Sequence, residues 1–470
     1  MEKGQGQGST EKTPLIGSRP PLYTYAVVAC AALNSINLGY DIGVNSGVSV
    51  LVQKQWNLSS WQVGFYMGSL SFIAAAGALL TSGLADYLGR CRTFAASQLL
   101  FILGVGVSAA APNYSWLMVG RCFLGIGIGV GLAIDPMYIA ELAPADYRGS
   151  LTTWSEFSIN VGILLGFVSN LVFVGLPANS NWRVMLGVGL VLPLVLLILS
   201  LFVMPESPRW LMLKCRRAEA EHVLQRTHAT GTDVQPILDK LEKQTREERD
   251  EGSWRDLLSA MLTPGPARKQ VLVGIGVALA QQASGTDSLI AFSPRVFETA
   301  GASTTQQQFF LTIIMGVVKT ICIAIAACFL DDFGRRPLLI LSNIGMSLCY
   351  FMLSAGLLFQ TPLVAAAAVM LIVAAFSIGA GPVCWLLASE LFPLKLRGRA
   401  MSAATFSNRI VCGVVTTTFL PLAASISFAG GFVLYGAIAA AIAITFAATV
   451  PETRMLTLEQ ISDFSNPDLS

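Results

Sequence analysis

Charge is scarce in this chain. Asp, Glu, Lys and Arg make up 12% of its 470 residues and hydrophobic residues 54%, whereas soluble domains carry roughly 25% charged residues. A soluble globular fold is thereby excluded. Histidine is scarcer still: the only two, His222 and His228, fall in one polar stretch. No cluster has metal-ligand spacing, so neither a metal nor a cofactor is expected. The nine cysteines lie mostly within apolar segments, which argues against a disulfide framework. The N-terminal segment lacks the charged-then-apolar pattern of a cleaved signal peptide. No nucleophile, base and orienting group come together in the pattern, which argues against an enzyme. The formal net charge of +2 singles out no macromolecular partner, and no nucleic-acid ligand is expected.

What is abundant is long apolar sequence. Segments of about 20 residues, the length that crosses roughly 30 Å of hydrocarbon, begin near Tyr23, Trp61, Arg92, Ser115, Thr152, Arg183, Lys269, Gln307, Pro337, Leu363, Met401 and Phe428. The expectation is an all-α membrane protein of twelve transmembrane helices in two six-helix halves, spanning 23–204 and 269–450. A polar linker, 205–268, separates the halves, and its spaced apolar residues predict short amphipathic helices; a plain solvated linker is the alternative. Arg90, Arg92, Arg148, Arg209, Lys214, Arg216, Arg335, Arg336, Lys395, Arg397 and Arg399 fall in alternate loops. Those loops are therefore predicted to be cytosolic, with both tails, 1–22 and 451–470, on the same side. The sequons at Asn57 and Asn113 then fall in outer loops.

The chain repeats itself. GLADYLGRCR (Gly83 to Arg92) matches FLDDFGRRPL (Phe329 to Leu338), AELAPADYRGSL (Ala140 to Leu151) matches SELFPLKLRGRA (Ser389 to Ala400), and PESPRWL (Pro205 to Leu211) matches PETRMLTLEQI (Pro451 to Ile461). Each pair is offset by six segments. Parallel repeats with a binding site at their interface are a common construction of secondary transporters.

These motifs, in register in both halves, resemble the sugar porter family of the major facilitator superfamily from Tyr23 to Ile461. Within it, INVGILLGFVSN (Ile159 to Asn170), GVVKTICI (Gly316 to Ile323) and FSNRIVCGVVTTTFL (Phe406 to Leu420) resemble proton symporters of polyols and monosaccharides in plants. The resemblance implies alternating access for a small sugar or polyol with protons, by a monomer in a lipid bilayer. A facilitative hexose uniporter and a non-transporting sugar sensor remain alternatives, the short tail counting against the sensor. The family implies the plasma membrane; EKTPLI (Glu11 to Ile16) resembles sorting signals for vacuolar or endosomal membranes and keeps those open.

The acid, Gly and Arg of the repeated turns can form charge-assisted bonds to neighbouring helix ends. Asp86, Arg90, Glu141, Arg148, Glu206, Arg209, Asp331, Arg335, Glu390 and Arg397 are the candidates, and the resemblance implies a cytosolic gating network. Service as topology determinants alone is the plainer alternative. In QQASGTDSLIAFSP, Gly285 weakens a helix at membrane depth. The resemblance implies that Gln281 and Gln282 bind sugar hydroxyls, that Trp385 stacks on the ring, that Asn408 also lines the site, and that the Gly-Pro pair before Trp385 is a hinge. Three positions depart from the family's amides: Glu156, Asp287 and Lys319. A buried Lys319 is expensive unless paired, with Glu156 and Asp287 as partners and Arg409 competing for them. Charged acceptors suit the free hydroxyls of an open-chain polyol; a structural salt bridge is the other explanation.

Asp41 raises the same cost, about 2.5 to 3.5 kcal/mol at a helix centre. Eighteen residues beyond Tyr23, it lies about 27 Å along an outward helix. Arg121 lies about 10 Å down the inward fourth helix, so the two can meet. Arg keeps its proton; within this pair Asp41 alone can titrate. Asp41 is therefore the expected proton carrier, and the resemblance agrees, since proton-coupled members carry Asp in this GYD motif and facilitators Asn; a static ion pair pinning the two helices is the plainer alternative.

Overall fold

The computed structural model describes residues 21–143, 148–228, 233–247, 254–393 and 396–452. Among the described residues there are nineteen helices and no strand. The first half comprises α1 (Leu22–Trp56), α2 (Ser60–Leu88), α3 (Arg90–Ala110), α4 (Tyr114–Leu142), α5 (Arg148–Phe173) and the pair α6 (Asn181–Val188) and α7 (Val191–Phe202). The linker forms α8 (Pro208–Leu213), α9 (Arg217–Thr227), α10 (Gln235–Glu247) and α11 (Trp254–Leu262). The second half begins with the broken run α12 (Pro266–Ala283), α13 (Thr286–Ala291) and α14 (Ser293–Thr299). It continues with α15 (Thr305–Phe333), α16 (Arg335–Leu358), α17 (Pro362–Ile378), α18 (Ala380–Leu391) and α19 (Arg397–Thr449).

Ten helical stretches among the described residues are long and apolar enough to cross a membrane. Two features separate that number from the twelve segments of the sequence. The Pro266–Thr299 run is interrupted at Gly285, which has φ 76°; a Cβ there would meet the Tyr435 ring at 2.5 Å. The α19 helix runs for 53 residues but is broken at Ser427, with φ 71° and ψ 158°, one residue before the expected start at Phe428. A straight helix of that length would span about 80 Å, more than twice the hydrocarbon thickness of roughly 30 Å.

Residues 205–268 form short helices where they are described. Ala220, Val223 and Leu224 of α9 are buried, and the helix is tied to the start of α1 by the Thr24 hydroxyl donating to the Thr227 carbonyl at 2.7 Å and by Arg226 stacked 4.1 Å over Tyr23. Outward-facing apolar side chains on α7, among them Val191, Ile198 and Phe202, form the kind of surface that lipid covers.

Helix starts repeat between halves as the motifs do. Ser59 and Gln62 form a reciprocal capping box at the start of α2, and Thr304 and Gln307 form another at α15; each satisfies two backbone donors that the first turn leaves open. Within the first half, α1 and α5 pack through small residues. A Cβ on Gly39 would strike the Ile159 carbonyl, and one on Gly162 the Ile36 carbonyl. Small residues four apart let membrane helices approach to backbone contact. Gly162→Val is therefore expected to destabilise the protein at or above the upper end of the roughly 1–3 kcal/mol typical of overpacking, because the obstacle is backbone that no rotamer change relieves. A lowered thermal unfolding midpoint in detergent checks this; an unchanged midpoint refutes it.

The halves meet along α2 and α19 and along α5 and α15. Ser71 bonds to the Cys412 thiol at 3.3 Å, Gly316 faces Phe167, and the Arg295 guanidinium donates to the Gln53 side-chain amide oxygen Oε1 at the end of α1.

Candidate functional site

Asp41 and Arg121 do meet. The Arg121 guanidinium donates to Asp41 Oδ2 at 3.2 Å, and its Nε donates to the Tyr66 carbonyl at 3.3 Å. The same guanidinium lies 4.4 Å over the Tyr66 ring. Asn45, one turn beyond Asp41, donates to Asp41 Oδ1 at 3.0 Å and accepts from the Tyr66 hydroxyl. Asp41, Asn45, Tyr66 and Arg121 thus close a ring from three helices, each at most 4% exposed. Charge-assisted bonds of this kind are the stronger class, and the cation–π contact adds to them when desolvated. Sequence reasoning found Asp41 and Arg121 but passed over Asn45 and Tyr66. Asn45 lies on the same face of α1 as Asp41, so the signal was available.

A second group of charges faces the space between the halves. Glu156 on α5 is exposed, yet it interacts electrostatically with Lys319, Arg409 and Asp287 of the other half; it lines an opening between helices rather than the outer surface. Lys319 interacts with Asp287 and Glu156 but makes no ion pair with either. The expected salt bridge is therefore a set of charges held apart. Asp287 instead accepts from Gln282 Nε2 at 2.9 Å, and Arg409 donates to Asn408 Oδ1 at 3.1 and 2.6 Å. Bonding capacity left unspent around a polar opening is what a hydroxyl-rich ligand would use.

Gln281 and Asn408 differ in this respect. Gln281 donates to the Ala380 and Gly381 carbonyls at 3.3 and 2.9 Å and accepts from Asn408 at 2.9 Å. Asn408, fully buried, also donates to the Ala278 carbonyl at 2.7 Å. Both join α12 to α18 and α19. Trp385 is partly exposed on α18. The helix break nearby falls at Gly379, with φ −127° and ψ −79°, rather than at Gly381-Pro382. Pro382 sits in the first turn of α18, where its missing N–H costs nothing, while a Cβ on Gly379 would come within 2.6 Å of the Leu338 carbonyl.

The gating candidates assemble half by half. Arg90 makes a bidentate pair with Glu141 at 2.9 and 2.8 Å and reaches Asp86 at 3.1 Å; Arg209 approaches Glu141 at 4.0 Å. Glu206 accepts the first backbone N–H groups of α3, from Arg90 at 2.7 Å and Cys91 at 3.3 Å. Glu452 does the same for Arg335 and Arg336 at the start of α16, at 3.0 and 3.2 Å, and Arg335 pairs with Glu390 at 3.3 Å. The repeated Pro-Glu motif thus places a carboxylate on a helix N-terminus, where the dipole and open donors favour it. Burial nevertheless pushes the Glu206 carboxyl above its usual range, opposed by the Ser207, Arg90 and Cys91 N–H donors. Arg397 donates to the Phe392 carbonyl at 3.4 Å. Arg148 starts α5 and Asp331 lies in α15, but their side chains lie outside the described residues, as do EKTPLI and everything beyond Glu452.

Among the described residues, helices apolar enough to cross a membrane carry a motif set that the sequence repeats, a common construction of secondary transporters. The chain belongs to the Sugar (and other) transporter family, whose sequence model matches residues 27–464. Polyol transporter 5 of Arabidopsis thaliana is 39% identical over 477 residues, covering 96% of this chain and 88% of that protein. The inward-open form of the E. coli xylose transporter XylE superposes with a TM-score of 0.81 at 27% identity, covering 94% of this chain and 100% of that one. The same proton:xylose symporter bound to 6-bromo-6-deoxy-D-glucose gives 0.78 at 28% identity, covering 94% and 99%.

Proposed function

We propose that the chain is a proton-coupled symporter of a polyol or monosaccharide, working by alternating access as a monomer with twelve crossings and both termini cytosolic. In this reading the broken run 266–299 is one crossing and α19 is two, turning at Ser427. The observation that carries it is the sealed Asp41–Arg121 pair, a titratable acid held by a permanent cation, set apart from the open charges of Glu156, Asp287 and Lys319. Its relatives' names, polyol transporter and proton:xylose symporter, support substrate and coupling alike. The test is labelled uptake by intact cells expressing the chain, across hexoses, pentoses and polyols, with and without a protonophore. Accumulation that the protonophore abolishes supports symport; uptake that only equilibrates makes the chain a uniporter. The plasma membrane is the proposed site, and imaging of a tagged chain separates it from vacuolar or endosomal membranes.

Substrate choice is assigned to the three charged departures, together with Gln282 and Trp385. Lys319→Asn alone is expected to abolish most uptake, because it leaves Glu156 and Asp287 facing each other with Arg409 as sole counter-charge. Changing all three, Glu156→Gln, Asp287→Asn and Lys319→Asn, should restore uptake with the ranking moved from polyols to cyclic hexoses. Competition assays read the ranking, and an unchanged order in the triple variant shows the charges to be structural.

A further inference from the structure

Asp135 on α4 is a buried carboxyl that the coupling and substrate groups leave unused. Its Oδ2 accepts from the Ser35 hydroxyl of α1. Beside Ser35, Asn34 accepts from Gln98 Nε2 of α3 at 2.9 Å, and Gln98 also reaches Ser97 at 3.0 Å. Asp135 is 2% exposed and Gln98 fully buried. Asp135 Oδ1 and Gln98 Oε1 are buried without a hydrogen-bond partner, and both are acceptors. A proton bound at Oδ1 turns that unpartnered acceptor into a neutral hydroxyl and removes a buried charge.

No cation compensates it among the described residues. Only Ser35 and Asn34 act on its carboxyl. Of the charged groups on the helices packed against α4, Arg121 is held by Asp41, and Arg90 by Glu141 and Asp86. Arg209 of α8 is directed at Glu141, Arg92 is exposed, Glu156 faces the other half, and Lys54 stands at the far end of α1. A buried carboxylate without a partner neutralises rather than remaining charged.

We propose that Asp135 is a second proton-binding site in the first half, lying between Asp41 and the Arg90–Glu141 cluster. Asn34, Asn37, Asp41 and Asn45 share one face of α1, spaced three, four and four residues apart, and Asn37 Nδ2 is itself buried and unpartnered. Ser35 lies about 9 Å along α1 from Asp41, and Glu141 about 9 Å along α4 from Asp135. A proton binding at Oδ1 forms one O–H bond and cancels one buried charge. The relay role rests on the proton-coupled reading above; the bound proton does not.

The test uses the purified full-length protein in lipid nanodiscs. Infrared spectra of the wild type at neutral pH should contain a neutral-carboxyl C=O band, sensitive to deuterium exchange, that is missing in Asp135→Asn and shifted in position in Asp135→Glu. In cells, the ratio of uptake at acidic to neutral external pH should fall toward one in Asp135→Asn and be restored by Asp135→Glu. A band that persists in Asp135→Asn overturns the site. Loss of the band with an unchanged uptake ratio overturns the relay. If wild-type uptake ignores a protonophore while the band behaves as expected, the symport reading fails and the proton site stands.

Discussion

Cells carrying Asp41→Asn should no longer concentrate labelled substrate above its external level, while exchange of label across the membrane stays measurable. The reason is the ring in which Asp41 sits. Ionised, the carboxylate accepts from Arg121 at 3.2 Å and from Asn45 at 3.0 Å, and Arg121 is held over Tyr66. Protonation removes the charge that holds Arg121, and a charge-assisted bond worth about 1.5–3 kcal/mol weakens to an ordinary one of about 1 kcal/mol. A difference of that size changes a two-state balance by a factor of roughly 10, enough for proton binding to bias the first half. Asn reproduces the neutral form permanently. Raising external pH empties Asp41, so wild-type uptake should fall as pH rises and the Asn variant should lose that dependence. Uptake at acidic and neutral pH, with and without a protonophore, measures both. An Asn variant that still accumulates substrate and still responds to the protonophore moves coupling to Glu156 or Asp287.

Arg90→Ala is expected to cost more than Arg335→Ala, although the two occupy equivalent places in the repeat. Arg90 has a side-chain exposure of 3% and Glu141 5%, so removing the guanidinium strands a buried carboxylate that had two parallel bonds. Breaking a buried pair from one side costs about 3–5 kcal/mol. Arg335 and Glu390 are 13% and 18% exposed, and water can take over part of that pairing. Thermal unfolding in detergent should therefore show a large drop for Arg90→Ala and a smaller one for Arg335→Ala, with partial recovery when Glu141→Gln is added to Arg90→Ala. Equal drops, or no recovery, would refute the account. If the clusters also serve as a gate, Arg335→Ala should be well inserted yet slow in net uptake, through a bias toward the inward-open form.

The Asp41–Arg121 meeting was legible because helix direction and rise are one-dimensional quantities. Asp135 was missed although it interrupts an apolar run as Asp41 does, since no counter-ion or motif drew attention to it. The Lys319 pairing was expected from cost alone, and the cost argument does not say at what distance charges settle when an opening lies between them.

What the sequence by itself determined is the helical membrane class, the duplicated halves and the residues that carry charge inside them, because span length, composition and repeat offset are all read along one chain. Only the tertiary structure decided which groups are spent and which are free. Gln281 and Asn408 are consumed in joining helices while Glu156 and Lys319 stay unbonded, and Ser35 meets Asp135 across 100 residues of sequence. Those outcomes depend on which helix faces come together, and the energy of a buried polar atom is set by the partner it meets there, not by its own identity.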